Sequence, residues 1–137
     1  MWCALYGATA YSVVRASQGA ARTTLDPVYS EAQAKRGDAL YVQYCGNCHG
    51  QNLAGADVAP ALTGTDFVAN WNDLSLNDLF ERLRIGMPAD KPGSLSRQDN
   101  ADILAFMLFK AGFPAGAAEL PTQLEALKDI TFVAQKK

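Results

Sequence analysis

Serines at positions 30, 75 and 96 each precede a run in which apolar residues return at helical spacing, and the three runs predict three helices. The first spans Glu31 to about Tyr44. Ser30 and Gln33 have the spacing of a capping box, and Ala34, Leu40, Tyr41 and Tyr44 supply the apolar positions. The second, Leu76 to Ile85, places Leu76, Leu79, Phe80 and Leu83 on one face, with Asp78 in the first turn and Gly86 as its stop. The third, Arg97 to Ala111, is closed by Gly112 and Pro114. Its centre, ILAFMLF from Ile103 to Phe109, is apolar on every side, so more than one partner helix must cover it.

The intervening stretches lack that periodicity. From Gly50 to Leu74, Gly50, Gly55, Pro60 and Gly64 punctuate a long loop that holds at most a short turn of helix, and a loop of that length in a small domain usually serves a function. MPADKPGSL, after the second helix, is a proline-rich connection. Residues 22–29, RTTLDPVY, read as an extended lead-in to a domain that spans 30–114. Residues 115–137, with an amphipathic piece around Leu124 and Leu127 followed by ITFV, read as a tail packed on the domain surface. The pattern defines an all-α fold, a small bundle of three main helices with long connecting loops, without internal repeats.

Composition narrows the class. With 137 residues, 49% hydrophobic and 19% charged, the chain has room for one globular domain. A net charge of -2 and a pI near 5.2, without a basic stripe, exclude a nucleic-acid partner. The opening MWCALYGATAYSVV is apolar but shorter than the roughly 20 residues that span a bilayer. Followed by small residues, it resembles the end of a secretory signal spanning 1–21, although it lacks a basic leader; a retained N-terminal helix is the other reading. The expectation is an exported, periplasmic protein that is not integral to the membrane, with Cys3 as bystander sulfur.

The chemistry is concentrated in YCGNCHG, Tyr44 to Gly50, which holds two of the three cysteines and the only histidine. Cys45, Cys48 and His49 have the spacing that attaches a c-type haem, with two thioether bonds from the cysteines and the adjacent imidazole under the iron. A thioredoxin-like dithiol would need a preceding strand, which the pattern does not offer, and a zinc site would need a fourth ligand. For the sixth iron position a second histidine does not exist, leaving Met1, Met87 and Met107. Met107 lies in the all-apolar run, where methionine fills core space. Met87, in IGMP, follows a helix and precedes Pro88, which biases it to an extended backbone able to present its sulfur.

On the segments RGDALYVQYCGNCHG, APALTG, IGMP and ADILAFML, the chain resembles the class I c-type monohaem cytochromes. The resemblance implies a bundle around one covalently bound haem c, with the first and last helices crossing where Gly37 and Tyr41 meet Ile103 and Phe106. It implies that the Pro60 carbonyl orients His49, or that Pro60 merely stiffens its loop. It also places Leu62, Phe67, Trp71 and Met107 in the haem environment, with Trp71 serving either the propionates or the core. Arg84 or Arg82 is a propionate partner, or simply suits the helix C-terminus. MPADKPGSLSRQDNADILAFML and GFPAGAAEL further resemble cytochromes associated with quinoprotein alcohol and sugar dehydrogenases. The implied function is a periplasmic one-electron carrier, not itself an enzyme, accepting electrons from a quinoprotein dehydrogenase and passing them to the respiratory chain or a terminal oxidase. A haem sensor or peroxidase-like domain with an open sixth site, or a structural haem domain docking a larger enzyme, are the alternatives. Acids at Asp57, Asp66, Asp73, Asp78 and Glu81, against bases at Arg82, Arg84, Lys91 and Arg97, lead us to expect a charged rim beside Met87 that the partner reads.

Overall fold

The computed structural model describes residues 21–135; Cys3 and residues 1–20 of the segment expected to be an export signal lie outside the described residues. In chain order the elements are β1 (Arg22–Thr23), α1 (Glu31–Tyr44), α2 (Gly46–His49), α3 (Thr65–Trp71), α4 (Leu76–Gly86), α5 (Arg97–Lys110), α6 (Leu124–Lys128) and β2 (Ile130–Thr131). The protein is all-α in class: α1, α4 and α5 form its frame, and the two-residue strands pair in parallel.

The three serines start the three long helices. Ser75 and Ser96 make full capping boxes with Asp78 and Asp99. Ser30 makes half of one: its hydroxyl accepts the Gln33 N–H at 3.1 Å, but the Gln33 side chain does not return. Buried Gln33 instead donates to the Leu120 carbonyl at 3.2 Å and accepts the Leu120 N–H at 2.7 Å, pinning the tail to α1.

The crossing of α1 on α5 depends on Gly37. A Cβ there would lie 1.8 Å from the Asp102 carbonyl oxygen and 2.9 Å from the Phe106 Cβ, so only glycine permits the contact. One turn on, the Tyr41 and Phe106 rings meet at 5.3 Å. Beside them Arg36 donates to both carboxylate oxygens of buried Asp102, at 2.9 and 3.0 Å, and to Glu119. The pairing supplies the compensation that a buried carboxylate requires.

The flanking segments are more deeply involved than their polarity indicates. Residues 22–29 are not extended throughout: after β1 the chain turns, with the Asp26 N–H donating to the Thr23 carbonyl at 3.0 Å, and Thr24, Val28 and Tyr29 are buried, the Tyr29 hydroxyl donating to the Phe113 carbonyl at 2.6 Å. The segment after Pro114 does not rest on the surface; Leu120, Leu127, Ile130 and Phe132 are core residues. Around Phe132 the backbone bonds to both sides: its N–H donates to the Leu74 carbonyl, and its carbonyl accepts the Asp73 N–H, each at 2.8 Å. The long loop holds a seven-residue helix, α3, rather than a single turn, because Phe67 turns inward against Phe132.

Candidate functional site

The site begins where α1 stops. Cys45 caps it, α2 makes a single turn, and Gly50, at φ +79°, turns the chain away. Half-buried Cys45, exposed Cys48 and buried His49 therefore project from one turn. The Tyr41 hydroxyl donates to the Gly50 carbonyl at 2.7 Å and fastens this turn to α1. Burial, aided by the Cys45 charge, pushes the Tyr41 phenol up to about 12.

The loop after Gly50 folds back on His49. Gly55, at φ +80°, leaves room for the Ala61 nitrogen, which a Cβ would approach to 2.6 Å. Its N–H donates to the His49 carbonyl at 2.8 Å. Leu53, fully buried at φ +62°, accepts the Leu62 N–H at 2.9 Å. These contacts bring the Pro60 carbonyl 2.7 Å from His49 Nδ1. A carbonyl only accepts, so Nδ1 carries the proton and Nε2 is left with the lone pair a metal needs.

These residues open on a cavity of about 1020 Å³. Met87 lines it from the end of α4, with an extended backbone at φ -121°, ψ 155°. Pro60, Leu62, Phe67, Trp71 and Met107 also line it. So do Leu79 and Leu83, from the apolar face of α4, and Ile103, which the resemblance assigns to the crossing with α1. The period of α4 already placed Leu79 and Leu83 on one face, but nothing in the sequence separates a face that meets a helix from one that meets a cofactor. The all-round apolarity of α5 has the same origin: α1 and α4 cover part of it, and Ile103 and Met107 face the cavity.

Arg84 does not line the cavity. Its guanidinium donates to both carboxylate oxygens of Glu81, at 2.9 and 2.7 Å, and Arg82 is the arginine that reaches the lining. Glu81 also holds Arg97 at 3.6 Å, so the expected rim of four bases is reduced: Arg84 and Arg97 are committed to one carboxylate. Their guanidinium groups, Arg84 foremost, hold the Glu81 carboxyl below the usual range.

The donor set fits a haem. The walls are apolar, two thiols lie on one turn beside an imidazole with a fixed tautomer, and a thioether sulfur lines the same cavity. Burial pushes the Cys45 thiol up to about 11, unlike a metal-binding thiolate. Among the described residues no three His, Cys, Asp or Glu side chains converge as metal ligands.

Fold and site together define a c-type cytochrome, with a covalently bound haem c and its iron as the vehicle of electron transfer. The chain belongs to the family described as cytochrome c oxidase, cbb3-type, subunit III, whose family model matches residues 32–107. Among solved structures it is similar to the crystal structure of the sulfane dehydrogenase SoxCD from Paracoccus pantotrophus, with 25% identity and a TM-score of 0.51. The match covers 78% of this chain and 58% of that one, so this chain spans little more than half the length of its structural neighbour. No curated protein sequence matches it.

Proposed function

We propose that Cys45 and Cys48 form the thioether bonds, that His49 and Met87 are the axial ligands, and that the protein carries single electrons away from a dehydrogenase. The observation that carries the ligand reading is the 2.7 Å approach of the Pro60 carbonyl to His49 Nδ1, on a cavity that Met87 also lines. A bound haem supplies the one-electron couple. The chain's own residues do the rest: Pro60 holds the imidazole proton on Nδ1, the apolar walls exclude water, and Met87 would offer its thioether sulfur to the iron in place of small ligands. Methionine in that position also favours the reduced state relative to a second histidine.

The dehydrogenase partner rests on the likeness to SoxCD, itself named a dehydrogenase, and on the resemblance of the loop sequences to cytochromes associated with quinoprotein dehydrogenases. Onward delivery to a respiratory oxidase and location in the periplasm complete the proposal. Among the described residues no helix is long and apolar enough to cross a membrane.

The decisive comparison is Met87→Ala against Met107→Leu in haem-loaded protein. Met87→Ala should abolish the near-infrared sulfur-to-iron band of the oxidised state and let carbon monoxide bind the reduced state. Met107→Leu, nearly volume-conserving, should do neither and should cost less than about 1.5 kcal/mol of stability. Exchanged phenotypes would assign the sixth ligand to Met107, and carbon monoxide binding by the wild type would favour the open-site sensor or peroxidase reading.

A further inference from the structure

The connection from α3 to α4, residues 72–75, is an edge of the cavity that is held from outside. Trp71 and Leu74 line the cavity, and Leu74 is exposed where the cavity meets solvent. Asp73, between them, lies in the left-handed region at φ +66°, a conformation that its surroundings must favour. Residues 131–134 supply the restraint. The Phe132 N–H donates to the Leu74 carbonyl and the Phe132 carbonyl accepts the Asp73 N–H, each at 2.8 Å. The Asn72 side-chain oxygen accepts the Ala134 N–H at 2.8 Å, while its amide nitrogen donates to the Asp73 carboxylate at 2.8 Å. Alternate residues of an extended segment turn their bonding groups to opposite edges, and the other edge of this one is gripped by buried Thr24. The Thr24 hydroxyl accepts the Val133 N–H at 2.9 Å and donates to the Val133 carbonyl at 3.1 Å, and its N–H donates to the Thr131 carbonyl at 3.0 Å. Thr24 and residues 131–134 lie outside the stretch 32–107 that the family model matches.

We propose that Asn72 is a positioning residue for the bound haem: it hooks residues 131–134 as a strap that fixes Trp71 and Leu74 against the cofactor, with Thr24 as the anchor of the strap. The inference rests on the haem-site reading above. The backbone bonds of Asp73 and Leu74 both go to Phe132, a single residue about which the segment could pivot. The Asn72 bond to Ala134, two residues on, fixes its direction. An electron passes most readily through an edge whose neighbours need not rearrange when the iron changes charge, so a wall fixed in advance serves the transfer itself.

The test compares haem-loaded wild type, Asn72→Ala, Thr24→Val, Thr24→Ser and Ser96→Ala by amide hydrogen exchange and by circular dichroism in the Soret region, which responds to aromatic rings lying against a haem. Trp71→Phe gives the part of that signal that Trp71 contributes. Asn72→Ala and Thr24→Val should each speed exchange at Asp73 and Phe132 by about two- to tenfold, the range for a lost hydrogen bond, and should move the Soret signal toward that of Trp71→Phe. Among the described residues Asn72 and Thr24 share no hydrogen bond, so a common response from both sides marks the strap. Thr24→Ser keeps the hydroxyl and should match the wild type, as should Ser96→Ala, which destabilises the fold elsewhere. Unchanged exchange, or an unchanged Soret signal despite faster exchange, overturns the proposal. A response from Asn72→Ala alone confines the effect to the loop, and an equal response from Ser96→Ala reduces it to lost stability; either overturns the strap. A Trp71→Phe signal identical to that of the wild type shows that Trp71 does not lie against the haem and overturns it too. Visible and near-infrared spectra are recorded on the same samples. Intact His/Met bands with an unmoved Soret signal refute Asn72 alone, while absence of those bands in the wild type refutes the site reading and this proposal with it.

Discussion

Gly37 and Tyr41, one helical turn apart on α1, tie the packing of the helices to the haem-binding turn. At Gly37 the obstacle to any side chain is the backbone carbonyl of Asp102, which cannot rotate aside. Gly37→Ala should therefore cost at least about 3 kcal/mol, measured by guanidinium denaturation of the haem-loaded protein. Tyr41 makes a prediction about pH. Its folded phenol lies near 12 against an ordinary 10.0, mainly through burial, so the neutral form is the one that folding favours. That contribution is fully present below about pH 10, and it is lost as pH rises toward 12 because the unfolded chain ionises first. Tyr41→Phe should lose about 1 kcal/mol at pH 7 for the missing hydrogen bond. Between about pH 10 and 12 it should escape an alkaline loss of roughly 2 to 3 kcal/mol that the wild type suffers. Parallel pH curves for the two proteins would place the titration elsewhere.

Among the elements, the C-terminal segment has a larger part than its short helix and strand indicate. Phe132 stands between Phe67, a cavity wall residue, and Phe113, with edge-on ring contacts at 6.3 and 5.3 Å. The residue that follows β2 thus supports the wall of the haem site from behind. Phe132→Ala should cost about 3 to 5 kcal/mol and should also perturb the haem absorption bands, since Phe67 loses its backing. Gln33→Ala should detach the same segment at its other end, exposing residues 115–135 to limited proteolysis while leaving α1 helical. By contrast Ser96→Ala, which removes a cap and touches neither segment, should cost only about 1 kcal/mol and leave the spectrum unchanged.

For the molecule as a whole, the approach to the haem is largely uncharged. Exposed Val58, Tyr44 and Leu74, the amides of Gln43, Asn47 and Asn70, and a single arginine and aspartate make up much of the cavity's exposed edge. An edge of that kind recognises a partner by shape and apolar contact more than by long-range steering. The rate of reduction by a dehydrogenase should consequently change by less than about threefold between roughly 0.01 and 0.3 M ionic strength. A steep fall with salt would show instead that Arg82 and Lys91 steer the encounter.

The chemistry was legible in the chain because it is local. Cys45, Cys48 and His49 lie within five positions, their spacing alone implies a haem, and the three serine-capped helices follow from side chains that bond to backbone only three residues away. Met87 was picked out by scarcity, since so few sulfur or imidazole groups remain. Tertiary structure decided everything that depends on which distant groups share space. Gln33 caps nothing with its side chain because Leu120, 87 residues away, offers it two bonds. Arg84 and Arg82 are indistinguishable in sequence, but helix phase turns one toward Glu81 and the other toward the cavity. Residues 22–29 and 115–135 look peripheral by composition, yet each covers the other and both enter the core. Local bonding rules determine caps and attachment motifs; burial and pairing are properties of the packed whole, and no window along the chain contains them.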